Sequence, residues 1–260
     1  MTEKIKQYWD ERANSSNIKK LTTDDIWLRE LEIKTMINTI DKMNLKEDSQ
    51  ILDVGCGDGY STMMLAKEFP NFSFNGIDFS GNMIKQANLT LEKMNLKNIK
   101  FEVGNILELS SIFQNSFDLV MTDRCLINLD KTNLQQSAFS EIAKVIKNNG
   151  HYIGIENFIE GHNEMNEIRL KIGLDEIPIR WHNLFFKEKE FKEMISKNFN
   201  LLKIINFSSS YYYATRIIYS KMCQMQKIKP DYNHEIHQLS TQLPIFGNFS
   251  PIKLLILQKK

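Results

Sequence analysis

Ile51-Leu52-Asp53-Val54-Gly55-Cys56-Gly57-Asp58-Gly59 is the stretch on which the fold turns. A short apolar run ends in three glycines at alternate positions and is followed by a helical pattern. That is a buried strand passing into a helix, with a backbone that must turn sharply and can approach a ligand closely because no Cβ is in the way. A tight strand-to-helix turn without a ligand would need the same glycines, so their company matters. Asp53 precedes the loop, where a carboxylate can organise the turn or reach an amino group. Asp78 ends the next apolar run in Gly76-Ile77-Asp78-Phe79-Ser80, the position from which an acid can accept both hydroxyls of a ribose. The dinucleotide fingerprint G-x-G-x-x-G does not fit, because the run here is G-x-G-x-G and position 60 is Tyr60.

Outward from the loop, strands and helices alternate from about Gln50 to about Phe207. Apolar runs rich in Ile, Val and Phe recur at 51–54, 72–77, 99–103, 117–121 and 152–155, separated by longer stretches of helical period. Ser80 can cap a helix whose apolar face is Ile84, Ala87, Leu91 and Met94. Thr132 and Gln135 form a capping-box pattern ahead of Leu134, Ala138, Ile142 and Val145, and Asn149-Gly150 supplies a left-handed exit. Strands alternating with helices imply crossover connections, hence an α/β fold with a mainly parallel sheet covered on both faces.

Three parts lie outside the alternation. Residues 24–43 read as an amphipathic helix with Ile26, Ile33, Ile37 and Ile40 on one side. Residues 156–183 form a long connection with a helix near 163–172. Beyond a helix around 187–197 and a strand around 201–206, residues 208–250 form a second insertion, and 251–257 return to a strand-like pattern. The expected organisation is one domain over 1–260: an N-terminal helical cap (1–48), a cofactor-binding core (49–157) and two insertions (157–186 and 207–250) that roof the substrate.

Composition bounds the function. The 260 residues are 42% hydrophobic and 25% charged, with a formal net charge of +1, which suits a globular chain with a real core. Basic and acidic residues are interspersed, so no stripe is built to neutralise phosphates and nucleic acid is not an expected partner. Cys56, Cys125 and Cys223 are widely spaced and odd in number, consistent with a reducing compartment. No apolar run approaches the length of a membrane span, and the N-terminal stretch has no apolar signal core. A cytoplasmic location and no membrane partner are therefore expected.

These motifs resemble the class I S-adenosylmethionine (SAM)-dependent methyltransferases, and residues 122–129 with 169–186 resemble a subgroup of bacterial small-molecule members. Residues 53–59 match the family's glycine-rich motif, and 76–80 with Met83 and Ala87 match its second. Gly104-Asn105-Ile106 stands where many members have G-D-[IVL], Phe117-Asp118-Leu119-Val120 opens the fourth strand, and 146–150 stands where L-K-P-G-G is usual. The resemblance implies a doubly wound seven-stranded sheet of order 3-2-1-4-5-7-6 with an antiparallel seventh strand. It implies SAM as cofactor and S-adenosylhomocysteine as its product. Carried over, Gly55, Cys56 and Gly57 would line the methionyl and adenosyl portions. Asp78 would hold the ribose and Met83 would pack on adenine, and Asp53, Phe79, Ile106 and Thr122 would be further cofactor-binding positions. Asn105 would meet the adenine amino group, an amide oxygen replacing the family's carboxylate. Tyr8-Trp9-Asp10-Glu11-Arg12 resembles the N-terminal segment that many members fold over SAM, which adds Tyr8, Trp9 and Arg12.

In open α/β sheets the reacting ligand lies beyond the carboxyl ends of the strands. There the sequence offers Thr122, Asp123, Arg124 and Asn128 after strand four and Glu156 and Asn157 after strand five. The insertions add Arg169, Trp181, His182 and Asn183, then Tyr211, Tyr212 and Tyr213. Each has a purely structural alternative, such as a surface ion pair for Asp123 and Arg124, or a strand with one buried face for the tyrosines. The expected reaction moves a methyl group in line from SAM to an oxygen, less readily a nitrogen, of a small polar metabolite. Placement of the nucleophile supplies much of the rate and a nearby base the rest. His182 is the first choice for that base, then Glu156 and Asp123. The pair His234 and His237 in NHEIH is not H-E-x-x-H and points to no metal site. Two other readings stay open: a different transfer from SAM on the same fold, such as aminopropyl transfer, and a non-catalytic SAM-binding or scaffolding protein.

Overall fold

A computed structural model describes residues 3–14, 22–113 and 116–260, so residues 1–2 and 15–21 of the N-terminal cap lie outside the described residues. The strands are β1 (Gln50–Val54), β2 (Ser73–Asp78), β3 (Ile99–Val103), β4 (Phe117–Asp123), β5 (Ile146–Asn157), β6 (Phe199–Ile205) and β7 (Ile252–Lys259). They form one sheet of order β3-β2-β1-β4-β5-β7-β6. β1 to β5 run parallel, and β7 lies antiparallel between β5 and β6. The expected order and the antiparallel last strand are both observed.

Strand alternation sorts the core into two layers. Leu52, Val54, Val120 and Tyr152 face one side and pack with Ala138, Phe139 and Phe191. Ile51, Leu119, Met121, Ile153 and Ile155 face the other and pack with Ile33, Met36, Met63 and Ala87. Successive residues of a strand point to opposite faces, so near-continuous apolar runs in β1, β4 and β5 mark a sheet buried on both sides.

Helices α1 (Glu3–Ala13) and α2 (Ile26–Asp41) precede the sheet. α3 (Tyr60–Glu68), α4 (Gly81–Met94), α5 (Leu109–Ile112) and α6 (Thr132–Val145) follow successive strands. α7 (Ile159–Lys171) and α8 (Glu188–Ile195) lie between β5 and β6. Ser80 caps α4, its Oγ accepting the Met83 N–H at 3.1 Å. The capping-box pattern at α6 is not used. Lys131 occupies the cap position without a side-chain bond, and the Gln135 amide instead donates to the carbonyls of Leu126 and Leu184. α6 gives way directly to β5 at Ile146, and Asn149 takes the left-handed conformation inside that long strand (φ 63°).

The second insertion is helical. α9 (Ser209–Tyr212) passes into a π-helical turn (Tyr213–Ile218), then α10 (Tyr219–Met225) and, after a loop, α11 (Glu235–Ser240). The tyrosine triplet is thus not a strand. Its three side chains splay around a helix, which separates their fates.

Candidate functional site

A cavity of about 400 Å³ lies at the carboxyl ends of β1 to β5 and the amino end of β7. Its floor is the glycine loop. Gly55, Gly57 and Gly59 all have positive φ (77°, 55° and 73°), a region that other residues enter only at a cost. Space is equally short: a Cβ on Gly55 would sit 2.4 Å from Cys125 Sγ, and one on Gly57 would sit 2.9 Å from Thr22 Cγ2.

Two carboxylates face this floor. Asp78 accepts the Gly57 N–H on one oxygen at 2.9 Å and the Ser80 N–H on the other at 2.8 Å. Each oxygen therefore keeps a lone pair for a further donor. Burial raises its carboxyl to about 6, against the pull of those two N–H groups. Asp53, buried at the end of β1, accepts the Thr62 hydroxyl at 2.6 Å, and burial raises it to about 7. Phe79, Met83 and Ile106 supply an apolar wall beside them. Asn105 also lines the cavity, but its Oδ1 caps the turn that follows, accepting the Leu107 N–H at 3.0 Å, and its amide nitrogen donates to Glu108. These features fit a nucleoside with a charged tail: a cradle only glycine can form, a carboxylate with spare lone pairs, and an apolar slot.

The N-terminal helix closes one side. The Ser80 hydroxyl donates to Asp10, which ties α1 to α4. Trp9 Nε1 donates to Asn128 Oδ1 at 3.3 Å, and its ring stacks on His182 at 5.7 Å. Tyr8 meets the His182 ring edge-on at 4.5 Å. The first insertion and the N-terminal helix therefore join over the cavity. His182 is 4% exposed, and burial, helped by Arg180 and Arg12, lowers its imidazole to about 4.

Ion pairs set the opposite wall. Arg29 pairs with Asp58, both buried. Arg124, in the left-handed region at φ 53°, donates to Glu32 at 2.9 Å and lies 3.5 Å from Asp123. Arg216, from the π-helical turn, pairs with Asp25, which also accepts the Tyr211 hydroxyl at 2.6 Å. Burial alone would raise the Asp25 carboxyl. Bonds involving His237, Arg216 and Tyr211 outweigh it and hold it well below the usual range.

Of the residues singled out from sequence, Trp9, Asp53, Gly55, Cys56, Gly57, Asp78, Phe79, Met83, Asn105, Ile106, Asp123, Arg124, Asn128, His182, Asn183 and Tyr212 line the cavity. Several others do not. Thr122 is fully buried, bonded to Tyr152 and Glu156. Glu156, also fully buried, is engaged with backbone N–H groups after β4 rather than turned to the cavity. Tyr8 backs His182 from behind, and Arg12 pairs with Asp24 at 3.7 Å. Arg169 holds the carbonyls of Asp175 and Arg216. Trp181 is 57% exposed. Tyr211 is buried against Asp25, and Tyr213 packs on Phe246 and Phe249. His234 caps α11, and His237 is buried within 3.0 Å of the Tyr211 hydroxyl.

Asn157, expected at the end of strand five, also lines the cavity, and the structure adds Asp25, Arg29, His162 and Arg216 to the wall. Asp25 was findable, as an acid immediately before the helical pattern of α2, where it caps the Leu28 N–H. Arg216 had no such signal, because a π turn, a form that recurs at functional sites, leaves no sequence period.

The sheet order and the cavity at the strand ends define the doubly wound nucleoside-binding architecture. The family model described as "Methyltransferase domain" matches residues 45–230, and the chain belongs to that family, the class I SAM-dependent methyltransferases. Among relatives, the chain is 28% identical over 155 residues to the Homo sapiens "EEF1A lysine methyltransferase 2", covering 57% of this chain and 65% of that protein. It is 27% identical over 143 residues to the Priestia megaterium "Malonyl-[acyl-carrier protein] O-methyltransferase", covering 54% and 49%. The match thus spans between about half and two thirds of these relatives' own lengths. Two solved structures share the fold. The N-methyltransferase NodS from Bradyrhizobium japonicum, solved with S-adenosylhomocysteine, superposes with a TM-score of 0.60 at 13% identity, with 98% of each chain covered. The [4+2]-cyclase SpnF superposes at 0.58 with 17% identity, covering 86% of this chain and 80% of that one.

Proposed function

We propose that this protein transfers a methyl group from SAM to a small acceptor, on oxygen in preference to nitrogen. The observation that carries the reading is the pairing of the glycine cradle with Asp78, whose two oxygens each hold a spare lone pair above it. SAM supplies the electrophilic methyl on its sulfonium. Gly55, Cys56 and Gly57 would hold its tail together with Asp53, and Asp78 its ribose. Met83, Phe79 and Ile106 would hold the base, with Asn105 accepting from the adenine amino group through the lone pair its cap leaves free.

The acceptor would occupy the part of the cavity bounded by Arg124, Asn128, Asn157, His162, Asn183 and Tyr212. Asn157 Oδ1 and His182 Nδ1 are both buried with no hydrogen-bond partner among the described residues. An unpaired buried polar atom is costly, and an acceptor bearing an O–H or N–H would relieve it. His182 is our choice of base. With its imidazole lowered to about 4 it is neutral near pH 7 and can accept a proton, although burial makes it a weaker base than an ordinary imidazole. Asp123 also lines the cavity but is engaged by Arg124. The two insertions and the cap would act as the roof of one domain, excluding water while the nucleophile is held in line.

The test is incubation with methyl-labelled SAM and a fractionated metabolite pool, following both label transfer and release of S-adenosylhomocysteine. Transfer that is lost in His182→Gln while S-adenosylhomocysteine affinity is kept is the expected result. Absence of S-adenosylhomocysteine binding to the wild-type protein would refute the cofactor assignment. Binding without any transfer would favour a non-catalytic role or another reaction on the same fold.

A further inference from the structure

Glu156 is the penultimate residue of β5, next to the cavity, yet its side chain turns away, because neighbouring residues of a strand face opposite sides. It is fully buried, and four donors converge on it. Oε1 accepts the Thr122 hydroxyl at 2.8 Å, the Cys125 N–H at 3.2 Å and the Leu126 N–H at 3.0 Å, and Oε2 accepts the Ile127 N–H at 3.3 Å. Three consecutive backbone N–H groups are thus gathered by one carboxylate from a different strand.

The segment so gathered touches both ligand-facing parts of the site. Cys125 Sγ lies against the glycine loop, where it would meet any Cβ added to Gly55. Asn128, at the far end, accepts the Trp9 indole and donates to the Arg124 carbonyl at 2.8 Å. The Leu184 N–H, two residues from His182, donates to the Ile127 carbonyl at 2.7 Å. Arg124 opens the segment in a left-handed conformation, which a non-glycine residue keeps only when its surroundings hold it.

We propose that Glu156 is a positioning residue, whose buried carboxylate fixes the 124–128 segment and through it sets the cofactor ceiling at Cys125, the Trp9 contact and the approach of His182. This rests on the reading that the cavity binds SAM. The chemistry requires an acceptor at both oxygens. In Glu156→Gln one oxygen becomes an NH₂ that opposes an N–H or O–H donor, so at least one buried donor loses its partner.

Protonation of the carboxyl would have a related effect. Burial raises Glu156 to about 7, against the bonds from Leu126, Thr122 and Ile127, and the nearby Asp123 raises it further. The other titratable groups facing it are the Cys125 thiol and the Tyr152 phenol, both pushed up by burial first and by Glu156 second, so neither ionises near neutral pH. Lys253 is its register partner on β7, but its ammonium is turned to Glu188.

Two measurements on the full chain decide the matter. In ligand-free wild-type protein, the backbone amide resonances of Cys125, Leu126 and Ile127 should follow one common titration with a midpoint near 7, and that titration should vanish in Glu156→Gln. At about pH 8, Glu156→Gln should weaken S-adenosylhomocysteine binding about tenfold. Amide exchange at 125–128 should rise by a similar factor, with β1 and β4 unchanged. Independent titration of the three amides in the wild type overturns the proposal, and that test needs no variant to fold. In a folded Glu156→Gln protein, wild-type affinity or wild-type exchange at 125–128 overturns it as well. A wild-type protein that shows the common titration but does not bind S-adenosylhomocysteine would refute the SAM reading and leave the Glu156 brace standing.

Discussion

Asp78→Asn separates binding from stability most sharply. In the wild type both carboxylate oxygens already accept one backbone N–H, from Gly57 and Ser80, and each would accept a ribose hydroxyl as well. A hydrogen bond to a charged group contributes roughly 1.5–3 kcal/mol, so losing the charge should weaken S-adenosylhomocysteine binding roughly 10- to 150-fold. Folding should respond differently. The rise of the carboxyl from 3.8 to about 6 corresponds to about 3 kcal/mol by which the ionised form is disfavoured in the folded chain. That figure is an upper bound, since one side of the group borders the open cavity. The amide relieves this but retains one acceptor for two N–H groups, a loss of roughly 1–2 kcal/mol. The variant should therefore lie within about 2 kcal/mol of wild type at pH 7.5 in urea unfolding. Its pH dependence should differ in a defined sense. A raised folded-state value means that the folded protein binds more protons than the unfolded one between 3.8 and about 6. This contribution to wild-type stability is thus present below that window and is lost as pH rises through it, and it should be missing from the variant. Isothermal titration showing unchanged S-adenosylhomocysteine affinity in folded Asp78→Asn would remove the ribose assignment.

Gly55→Ala should cost at least tenfold in S-adenosylhomocysteine affinity, since the left-handed backbone alone carries roughly 1–2 kcal/mol and the new Cβ meets Cys125 Sγ at 2.4 Å. Titration calorimetry with wild-type affinity would show that the loop does not approach the ligand. Asp25→Asn breaks a buried pair with Arg216 and should destabilise the protein by roughly 3–5 kcal/mol near neutral pH. Because the Asp25 carboxyl is depressed in the folded state, its contribution exists above the unfolded value of about 4 and fades as pH falls below it. The gap between variant and wild type should close in acid, and a constant gap in urea titrations down to about pH 2 would contradict the ion-pair account.

The fold was legible because each signal it needed was local. The glycines at 55, 57 and 59, the acids closing β1 and β2, and the apolar runs of β1, β4 and β5 are all short-range patterns, and the side of the cavity proposed for the cofactor is built almost wholly from them. The side of the cavity proposed for the acceptor was read less well because it is assembled from long-range contacts. Tyr211 meets Asp25 across 186 positions, and Arg216 does so across 191. Nothing near Tyr211, Tyr212 and Tyr213 in sequence says that the segment is helical and that only Tyr212 reaches the cavity. Glu156 misled for a related reason. A carboxylate at a strand end can face either side, and the alternation that turns Glu156 inward turns Asn157 to the cavity. The capping-box pattern at Thr132 failed because Gln135 found better-placed carbonyls in Leu126 and Leu184.

The place of β7 has a consequence for how the chain comes to be folded. Residues 252–259 sit between β5 and β6, so those two strands, joined by the first insertion, cannot pair directly and must leave a gap one strand wide. During synthesis both waiting edges would expose unpaired backbone groups until the ribosome had delivered residues 252–259, and such edges invite intermolecular pairing. Ile252 and Pro251 also line the cavity. A nascent chain stalled before them would hold the glycine loop and Asp78 but lack one wall, so ligand-dependent protection should arise late in translation and in step with closure of the sheet.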